Sequence, residues 1–386
     1  MPVLAADPAA RLPAARHVEG LDGLRAVAAV GVLAYHVHFL VGPSTGPVAA
    51  LAGVGWIGVD LFFAISGFIL FLPFARAHRD GRPVPLRRFF VRRARRILPA
   101  YWFNLFVLVT LTVPGILATP SGWATVLADA TFTADYLGRP SINSVYWSLY
   151  CEVAFYVALP LVARAFVGRR WLVGLPAAIV LAAGYRTAVV LAAPDAESHA
   201  SAIMQFPGVL DQFAYGMAVG AVWAWAEVRR DRIPRWAGPA VAAVGVALVA
   251  SVVLVVHRLV GMVAFWSADH AWGVPALAVV RPGLSAGFAL LILGLCFARN
   301  PLRRVLELRP LRYLGTVSYG LYLWHLPVVR ALADGLGDVD GSGLAYLGAV
   351  LAVLALTLPW AAFSYHVVEQ RYLERPATAP TAGPAG

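Results

Sequence analysis

The stretch that decides the fold is residues 237–256, AGPAVAAVGVALVASVVLVV, which is apolar or small throughout and carries no charge. An α-helix of about 20 such residues crosses the hydrocarbon core of a bilayer. Similar blocks recur along the chain, which is 60% hydrophobic and only 13% charged. Soluble domains carry about 25% charged residues, so the composition excludes a soluble fold.

Hydropathy predicts ten membrane spans and therefore an all-α, polytopic membrane helix bundle. Their approximate bounds are 24–41, 55–74, 97–118, 146–166, 171–192, 207–226, 237–257, 274–298, 313–332 and 344–366. Arg186, Arg258 and Arg281 interrupt or flank the fifth, seventh and eighth spans, whose bounds are therefore the least sharply defined.

The basic residues predict the orientation of the bundle. All 31 of them are Arg, and the net charge is +11. Most of these Arg residues fall on alternate connections between the apolar blocks, and such connections face the cytoplasm. Both termini are thus expected in the cytoplasm. This placement favours a lipid bilayer over a nucleic acid as the partner of the positive charge. The absence of Lys, together with abundant Ala, Gly and Pro, suggests a GC-rich bacterial genome, so we expect the membrane to be the bacterial cytoplasmic membrane.

The chain divides into one large domain and two short ends. Residues 1–20 are expected to form a cytoplasmic N-terminal segment, residues 21–370 the transmembrane domain, and residues 371–386 a disordered cytoplasmic tail. The two cysteines, Cys151 and Cys296, lie in apolar blocks and offer neither a disulfide framework nor a zinc spacing. No metal site is expected.

Four ionisable residues fall inside predicted spans: His36, Asp60, Glu152 and His325. Such residues are costly in a membrane and face a cavity or one another. Counting along each span places all four in the outer half of the bilayer, which predicts a shared buried site. We interpret His36 as catalytic, with Asp60 or Glu152 as its carboxylate partner.

Arginines predict how an anionic donor would reach that site. Arg25 precedes His36 by eleven residues, about three helical turns, so both lie on one face of the first helix. The inner connection carries a dense basic run that includes Arg92, Arg93, Arg95 and Arg96. Guanidinium groups bind phosphates, but they also anchor loops to anionic lipid, and both interpretations stay open. Arg25 and Trp147 are equally consistent with interfacial anchors.

Six segments in order resemble the acyltransferase-3 family of membrane acyltransferases, which acylate bacterial polysaccharides and macrolides. They are residues 21–36 (beginning LDGLR and ending YH), 55–68 (GWIGVDLFFAISGF), 92–102 (RRARRILPAYW), 147–160 (WSLYCEVAFYVALP), 314–327 (LGTVSYGLYLWHLP) and 364–369 (SYHVVE). Ala26 and Cys151 depart mildly from the family pattern.

The resemblance implies an acyl-coenzyme A donor that enters from the cytoplasm, with acetyl as the default acyl group. It implies a functional pair of Arg25 and His36, and it carries over Glu152 and the inner Arg motif. Trp147, Tyr319 and His325, which lie in the matched segments, are expected to bind substrate. The acceptor is expected to be a hydroxyl of an envelope glycan, a glycolipid or a glycosylated metabolite.

Two mechanisms for His36 and one alternative function remain open from the sequence. His36 would either take the proton of the acceptor hydroxyl or carry the acyl group transiently. Alternatively, ten spans with buried ionisable groups fit a proton-coupled transporter or flippase of a lipid-linked or small hydrophobic solute. The sequence leaves the oligomeric state open.

Overall fold

The computed structural model describes residues 18–40, 51–192, 202–256, 270–297, 300–336 and 343–373. These residues form helices joined by short connections, and they contain no β-strand. The all-α prediction is therefore confirmed for the described part of the chain. The predictions for residues 1–20 and 371–386 fall mainly outside it.

We number the α-helices in chain order. They are α1 (Leu21–Leu40), α2 (Ile57–Arg79), α3 (Leu86–Leu111), α4 (Pro120–Ala130), α5 (Tyr146–Val162), α6 (Trp171–Ala192), α7 (Phe206–Ala226), α8 (Ala237–Val255), α9 (His270–Cys296), α10 (Pro301–Leu306), α11 (Arg309–Thr316), α12 (Ser318–Leu336), α13 (Gly343–Phe363) and α14 (Gln370–Leu373). A π-helical segment, Ser364–Glu369, joins the last two.

Six helical stretches in the described ranges are long and apolar enough to cross a membrane. They are Leu21–Leu40, Ile57–Arg79, Tyr146–Ala165, Trp171–Ala192, Ala237–Val255 and Gly343–Leu373. Large apolar side chains are exposed on several of them, including Val173 and Leu191 on α6 and Leu254 on α8. Such a surface fits lipid rather than water.

Two predicted spans differ from the helices that the structure contains. The third, predicted at 97–118, begins earlier because the Arg-rich run is itself helical from Leu86. It ends earlier, at Leu111, because Pro114 disfavours helical backbone at the residue before it, and a short 3-10 helix, Pro114–Ala118, follows. The ninth, predicted at 313–332, is divided at Val317 into α11 and α12.

Helices α2 and α7 pack closely and extensively against each other. A side chain at Gly67 would collide with the carbonyl of Phe213, and one at Gly216 would collide with the carbonyl of Ala64. Small residues at facing positions let two backbones approach closely, which is how helices pack in membranes. Helix α2 is thereby fixed in the interior, where it also contacts α1 and α9.

Helix α1 is the second central element, since it packs against α2, α11, α12 and α13. Gly315 of α11 lies so close to the start of α1 that a side chain there would overlap the Asp22 carbonyl. The division at Val317 thus lets α11 meet the beginning of α1 while α12 runs beside its remaining turns. This arrangement positions the polar residues of α1 against those of α12.

Candidate functional site

Two histidines meet in the bundle, His36 from α1 and His325 from α12. His36 Nδ1 lies 3.1 Å from His325 Nε2. His36 Nδ1 also lies 2.9 Å from the Val32 carbonyl oxygen, while His325 Nδ1 lies 2.8 Å from the Tyr322 oxygen and 3.2 Å from that of Leu321. His325 is 1% exposed, whereas His36 is half-buried. The pair therefore has one ring that other molecules can approach.

A cavity of about 790 Å³ of empty space, its open mouth included, lies between α1, α2, α3, α5 and α12. Three guanidinium groups contribute to its lining: Arg25, Arg93 and Arg96. Apolar side chains of α2 line much of the remainder, including Phe62 and Phe63. The cavity therefore combines cations with an apolar interior.

Glu152 lies inside this cavity and not beside His36. Its Oε1 accepts hydrogen bonds from Ser66 Oγ at 3.0 Å and from the Tyr156 hydroxyl at 2.7 Å. Arg25 is close enough to interact with it electrostatically and also donates from Nε to Ser318 Oγ at 3.3 Å. These groups give the cavity a polar section around the Glu152 carboxyl group.

Tyr322 and Ser148 line the same cavity, and their hydroxyl oxygens are 2.6 Å apart. Both also bond to the Val145 carbonyl. The Tyr322 ring contacts the His325 ring, with centroids 5.7 Å apart, whereas neither His36 nor His325 lines the cavity. Tyr322 therefore separates the cavity from the histidine pair.

Asp60 is engaged elsewhere. Its Oδ1 accepts a hydrogen bond from Arg281 Nη1 at 3.0 Å, and both side chains are 2% exposed. A second buried pair joins Arg186 to Asp211 through two hydrogen bonds of 3.2 and 2.9 Å. The two pairs link α2 and α9, and α6 and α7. Buried charges need such partners.

The structure thus divides the four ionisable residues that the sequence placed at one level. His36 and His325 meet, Glu152 belongs to the cavity, and Asp60 pairs with Arg281. Among the described residues, no carboxylate forms an ion pair with His36. The expected contact of His36 with a carboxylate is therefore absent from this part of the chain, because Asp60 faces Arg281 of α9 and Glu152 faces Ser66 and Tyr156.

Some of the remaining predicted site residues line the cavity, and others do not. Tyr319 lines the cavity and donates from its hydroxyl to the Ile97 carbonyl at 3.0 Å. Trp147 does not line it but packs edge-on against Phe63, which does. Within the Arg motif, Arg92 is exposed, and the cavity lining includes neither it nor Arg95.

Arg96 has a second partner besides the cavity. Its Nη1 donates to Glu369 Oε2 at 2.9 Å. Glu369 belongs to the π-helical segment and is fully buried. The contact ties the Arg motif of α3 to the end of the chain that the structure describes.

Several site residues could not be singled out from the sequence. Ser66, Ser148 and Tyr322 are common types in membrane helices, where they serve in packing. Arg281 carried a usable signal, since a basic residue inside an apolar block needs a partner. Asp60 on α2 carries the complementary signal, since a carboxylate inside a span also needs a partner.

Comparison with known proteins agrees with this architecture. The family model described as "Acyltransferase domain" matches residues 18–366. The chain therefore belongs to the acyltransferase-3 family, a class of membrane acyltransferases.

Curated relatives cover most of this chain but extend well beyond it. The Bacillus subtilis protein named "Putative peptidoglycan O-acetyltransferase YrhL" is 29% identical over 92% of this chain and 55% of its own length. "Peptidoglycan O-acetyltransferase OatA" of Listeria monocytogenes is 27% identical over 81% of this chain and 50% of its own. The chain spans about half the length of these relatives. No solved structure matches the chain.

Proposed function

We propose that the chain is a membrane O-acyltransferase. It moves an acyl group, acetyl in the simplest case, from acyl-coenzyme A to a hydroxyl of a carbohydrate-containing acceptor. The observation that carries the proposal is an arginine-lined cavity that ends against Tyr322, whose ring contacts His325 of the histidine pair. The phosphates of the donor need cations, which the arginines supply. Its thioester needs a nucleophile or a base, which the histidine pair beyond Tyr322 supplies.

The donor's phosphates are assigned to Arg25, Arg93 and Arg96, because these guanidinium groups line the cavity. Guanidinium forks match phosphate oxygens well. Arg92 and Arg95 lie on the same helix and would add positive charge around the opening, which attracts anions. The flexible arm of the donor would then extend along the apolar walls towards Tyr322.

Glu152 and Tyr319 are assigned to that arm. A coenzyme A arm contains two amide groups, and a carboxylate inside the cavity accepts hydrogen bonds from amide N–H groups. Glu152 is held in place by Ser66 and Tyr156. Trp147 supports the wall through Phe63. In this assignment Glu152 binds the donor and does not orient the imidazole.

The chemistry is assigned to His36. As a general base it takes the proton of the acceptor hydroxyl, and the oxygen attacks the thioester carbonyl carbon. The carbon–sulfur bond breaks, and the proton passes from the imidazole to the departing thiolate, which leaves as free coenzyme A. In the covalent variant the imidazole attacks first and the acceptor oxygen then displaces it. Both routes yield one ester and one thiol.

A carbohydrate acceptor is supported by the relatives, two of which are named for peptidoglycan O-acetylation. We assign the acceptor to the outer side of the bundle, since His36 lies near the outer end of α1 and remains half-exposed. No metal is assigned a role in this reaction.

The proposal includes ten membrane spans with both termini in the cytoplasm of a bacterial cell. Six helices qualify by length and composition. Helices α3, α7, α9 and α12 would complete the set, because they pack among those six although they carry charges. Their charges are partly matched inside the bundle, as with Asp211 of α7 and Arg281 of α9.

The test uses the full chain, purified in lipid nanodiscs with acetyl-coenzyme A and a soluble peptidoglycan fragment. Free thiol and acetylated glycan are measured together, the latter by mass spectrometry. His36→Ala is expected to abolish both signals while the protein remains monodisperse. His38→Ala is the matched control, because His38 lies on the same helix and packs against Phe39 and Tyr346 instead.

Full activity of His36→Ala would refute the catalytic assignment. Solute uptake into vesicles without thiol release would favour a transporter, the alternative that the sequence leaves open.

A further inference from the structure

The nitrogen atoms of His36 do not have equivalent surroundings. Its Nδ1 faces two atoms, the Val32 carbonyl oxygen at 2.9 Å and His325 Nε2 at 3.1 Å. A carbonyl oxygen can only accept a hydrogen bond. Nδ1 must therefore carry a hydrogen, since an unprotonated nitrogen would place its lone pair against that of the oxygen.

The surroundings of His325 determine the other half of the contact. Its Nδ1 lies between two carbonyl oxygens, those of Leu321 and Tyr322. Both are acceptors, so Nδ1 carries the hydrogen of the neutral ring and Nε2 keeps its lone pair. His325 Nε2 is therefore an acceptor that shares the single Nδ1–H of His36 with the Val32 carbonyl.

These contacts, with three backbone carbonyls and two imidazole rings, determine the protonation of His36 Nε2 in the neutral ring. Because the hydrogen of neutral His36 resides on Nδ1, its Nε2 is unprotonated. That atom is the one that general-base or nucleophilic catalysis requires.

We propose that His325 is the positioning residue of His36 and fulfils the role that a carboxylate has in a Ser-His-Asp triad. The inference rests on the proposed function, in which His36 performs the chemistry. In such triads the carboxylate holds the imidazole in one tautomer and stabilises its protonated form. The two carboxylates that the sequence suggested as partners of His36 are engaged elsewhere. Asp60 pairs with Arg281, and Glu152 accepts hydrogen bonds from Ser66 and Tyr156.

A second imidazole has a property that a carboxylate lacks. When His36 Nε2 accepts the hydroxyl proton, the ring becomes an imidazolium whose Nδ1–H bonds to a basic nitrogen. That proton can shift to His325 Nε2, and the His325 Nδ1–H remains bonded to the Tyr322 oxygen. The positive charge is then shared by two rings, without any ion entering or leaving the site. When the thiolate departs, the protons return along the same path.

The decisive experiment compares two amides at position 325. In His325→Gln the amide oxygen can occupy the place of Nε2 and accept from His36. In His325→Asn the shorter amide retains a donor for the Tyr322 carbonyl but does not reach His36. We expect His325→Asn to lower kcat by about 10- to 100-fold, as for a lost hydrogen bond to a charged group, with the donor KM within about twofold. His325→Gln should stay within about fivefold of the native kcat.

A structural role alone would make the two amides equivalent, so equal losses in His325→Asn and His325→Gln would overturn the proposal, as would native activity in His325→Asn. Loss of activity in His36→Ala together with native activity in His325→Asn would overturn this inference and leave the proposed function intact. Native activity in His36→Ala would overturn the proposed function itself.

A second measurement does not depend on how well the variants fold. Solid-state NMR of the native protein, labelled with ¹⁵N in its histidine rings and embedded in bilayers, reports the tautomer directly. The His36 signals are identified by their loss in His36→Gln. We expect a protonated Nδ1 and an unprotonated Nε2 for His36. A protonated Nε2 in the resting neutral ring would overturn the assignment.

Discussion

Tyr322 and Ser148 close the inner end of the arginine-lined cavity with a hydrogen bond of 2.6 Å between their hydroxyl oxygens. Tyr322 lies one helical turn before His325 on α12, and their rings are in contact. In the proposed function, a thioester in the cavity would meet Tyr322 before the histidine pair. The position of the Tyr322 side chain would then control access from the cavity to that pair.

Tyr322→Phe is expected to weaken this barrier, because the ring loses its bonds to Ser148 and to the Val145 carbonyl. A hydrogen bond contributes about 0.5–1.5 kcal/mol, so donor hydrolysis without acceptor should rise about 2- to 10-fold relative to acyl transfer. Thiol release with and without acceptor measures the ratio. Tyr346→Phe is the control, since it loses a tyrosine bond to the Ala34 carbonyl outside the cavity. An unchanged ratio in Tyr322→Phe would contradict the barrier.

Arg93→Ala is expected to raise the KM for acyl-coenzyme A about 10-fold with little change in kcat, because one charge-assisted contact to phosphate is lost from ground state and transition state alike. Arg82→Ala removes an exposed arginine of the preceding loop, outside the cavity lining, and serves as the control for total charge. Steady-state kinetics at two salt concentrations separates a specific contact from general attraction. Equal effects of the two substitutions would argue for the latter.

Asp60→Ala is expected to destabilise the fold by about 3–5 kcal/mol, because it leaves the Arg281 guanidinium buried without its carboxylate. The double variant Asp60→Leu, Arg281→Met removes both charges and should recover most of that loss. Thermal unfolding in detergent measures stability, and acyl transfer per folded molecule measures the role of Asp60. A stable but inactive double variant would show that Asp60 takes part in the chemistry.

Glu227, directly after the end of α7, provides a pH-dependent test. Although burial opposes its ionisation, hydrogen bonds from Arg76 and Arg79 lower the pKa of this carboxyl below its ordinary value. Because its pKa is lowered on folding, the ionised Glu227 carboxylate stabilises the fold fully at pH values above its ordinary pKa of about 4.3. This contribution is lost as the pH falls through the lower pKa of the folded state.

Glu227→Gln should therefore lower the unfolding midpoint by a few degrees at pH 7, from a loss on the order of 1 kcal/mol after solvent screening. The difference from the native protein should disappear only when the pH falls below the lowered pKa of Glu227 in the folded state. A constant difference across this range would mean that packing, and not charge, explains the effect.

The sequence predicted the elements of this fold better than their contacts. Apolar length sufficed for the helices, and the first apolar block placed both Arg25 and His36 on α1. The partner of His36 lies 289 positions away, and no local pattern encodes which faces of α1 and α12 meet. The predicted depth of the four ionisable residues also depended on treating every span as a straight helix that begins at the membrane surface. The division at Val317 and the separate pairing of Asp60 with Arg281 violate that assumption.

The hydrogen bond from Arg25 to Ser318 has a mechanical consequence. Ser318 is the first residue of α12, immediately after the division at Val317, and the same helix carries Tyr322 and His325. An anion bound by Arg25 would compete with Ser318 for the guanidinium donors. Because Tyr322 and His325 lie about one and two turns further along the same helix, anion binding at Arg25 would be coupled to the positions of these two rings.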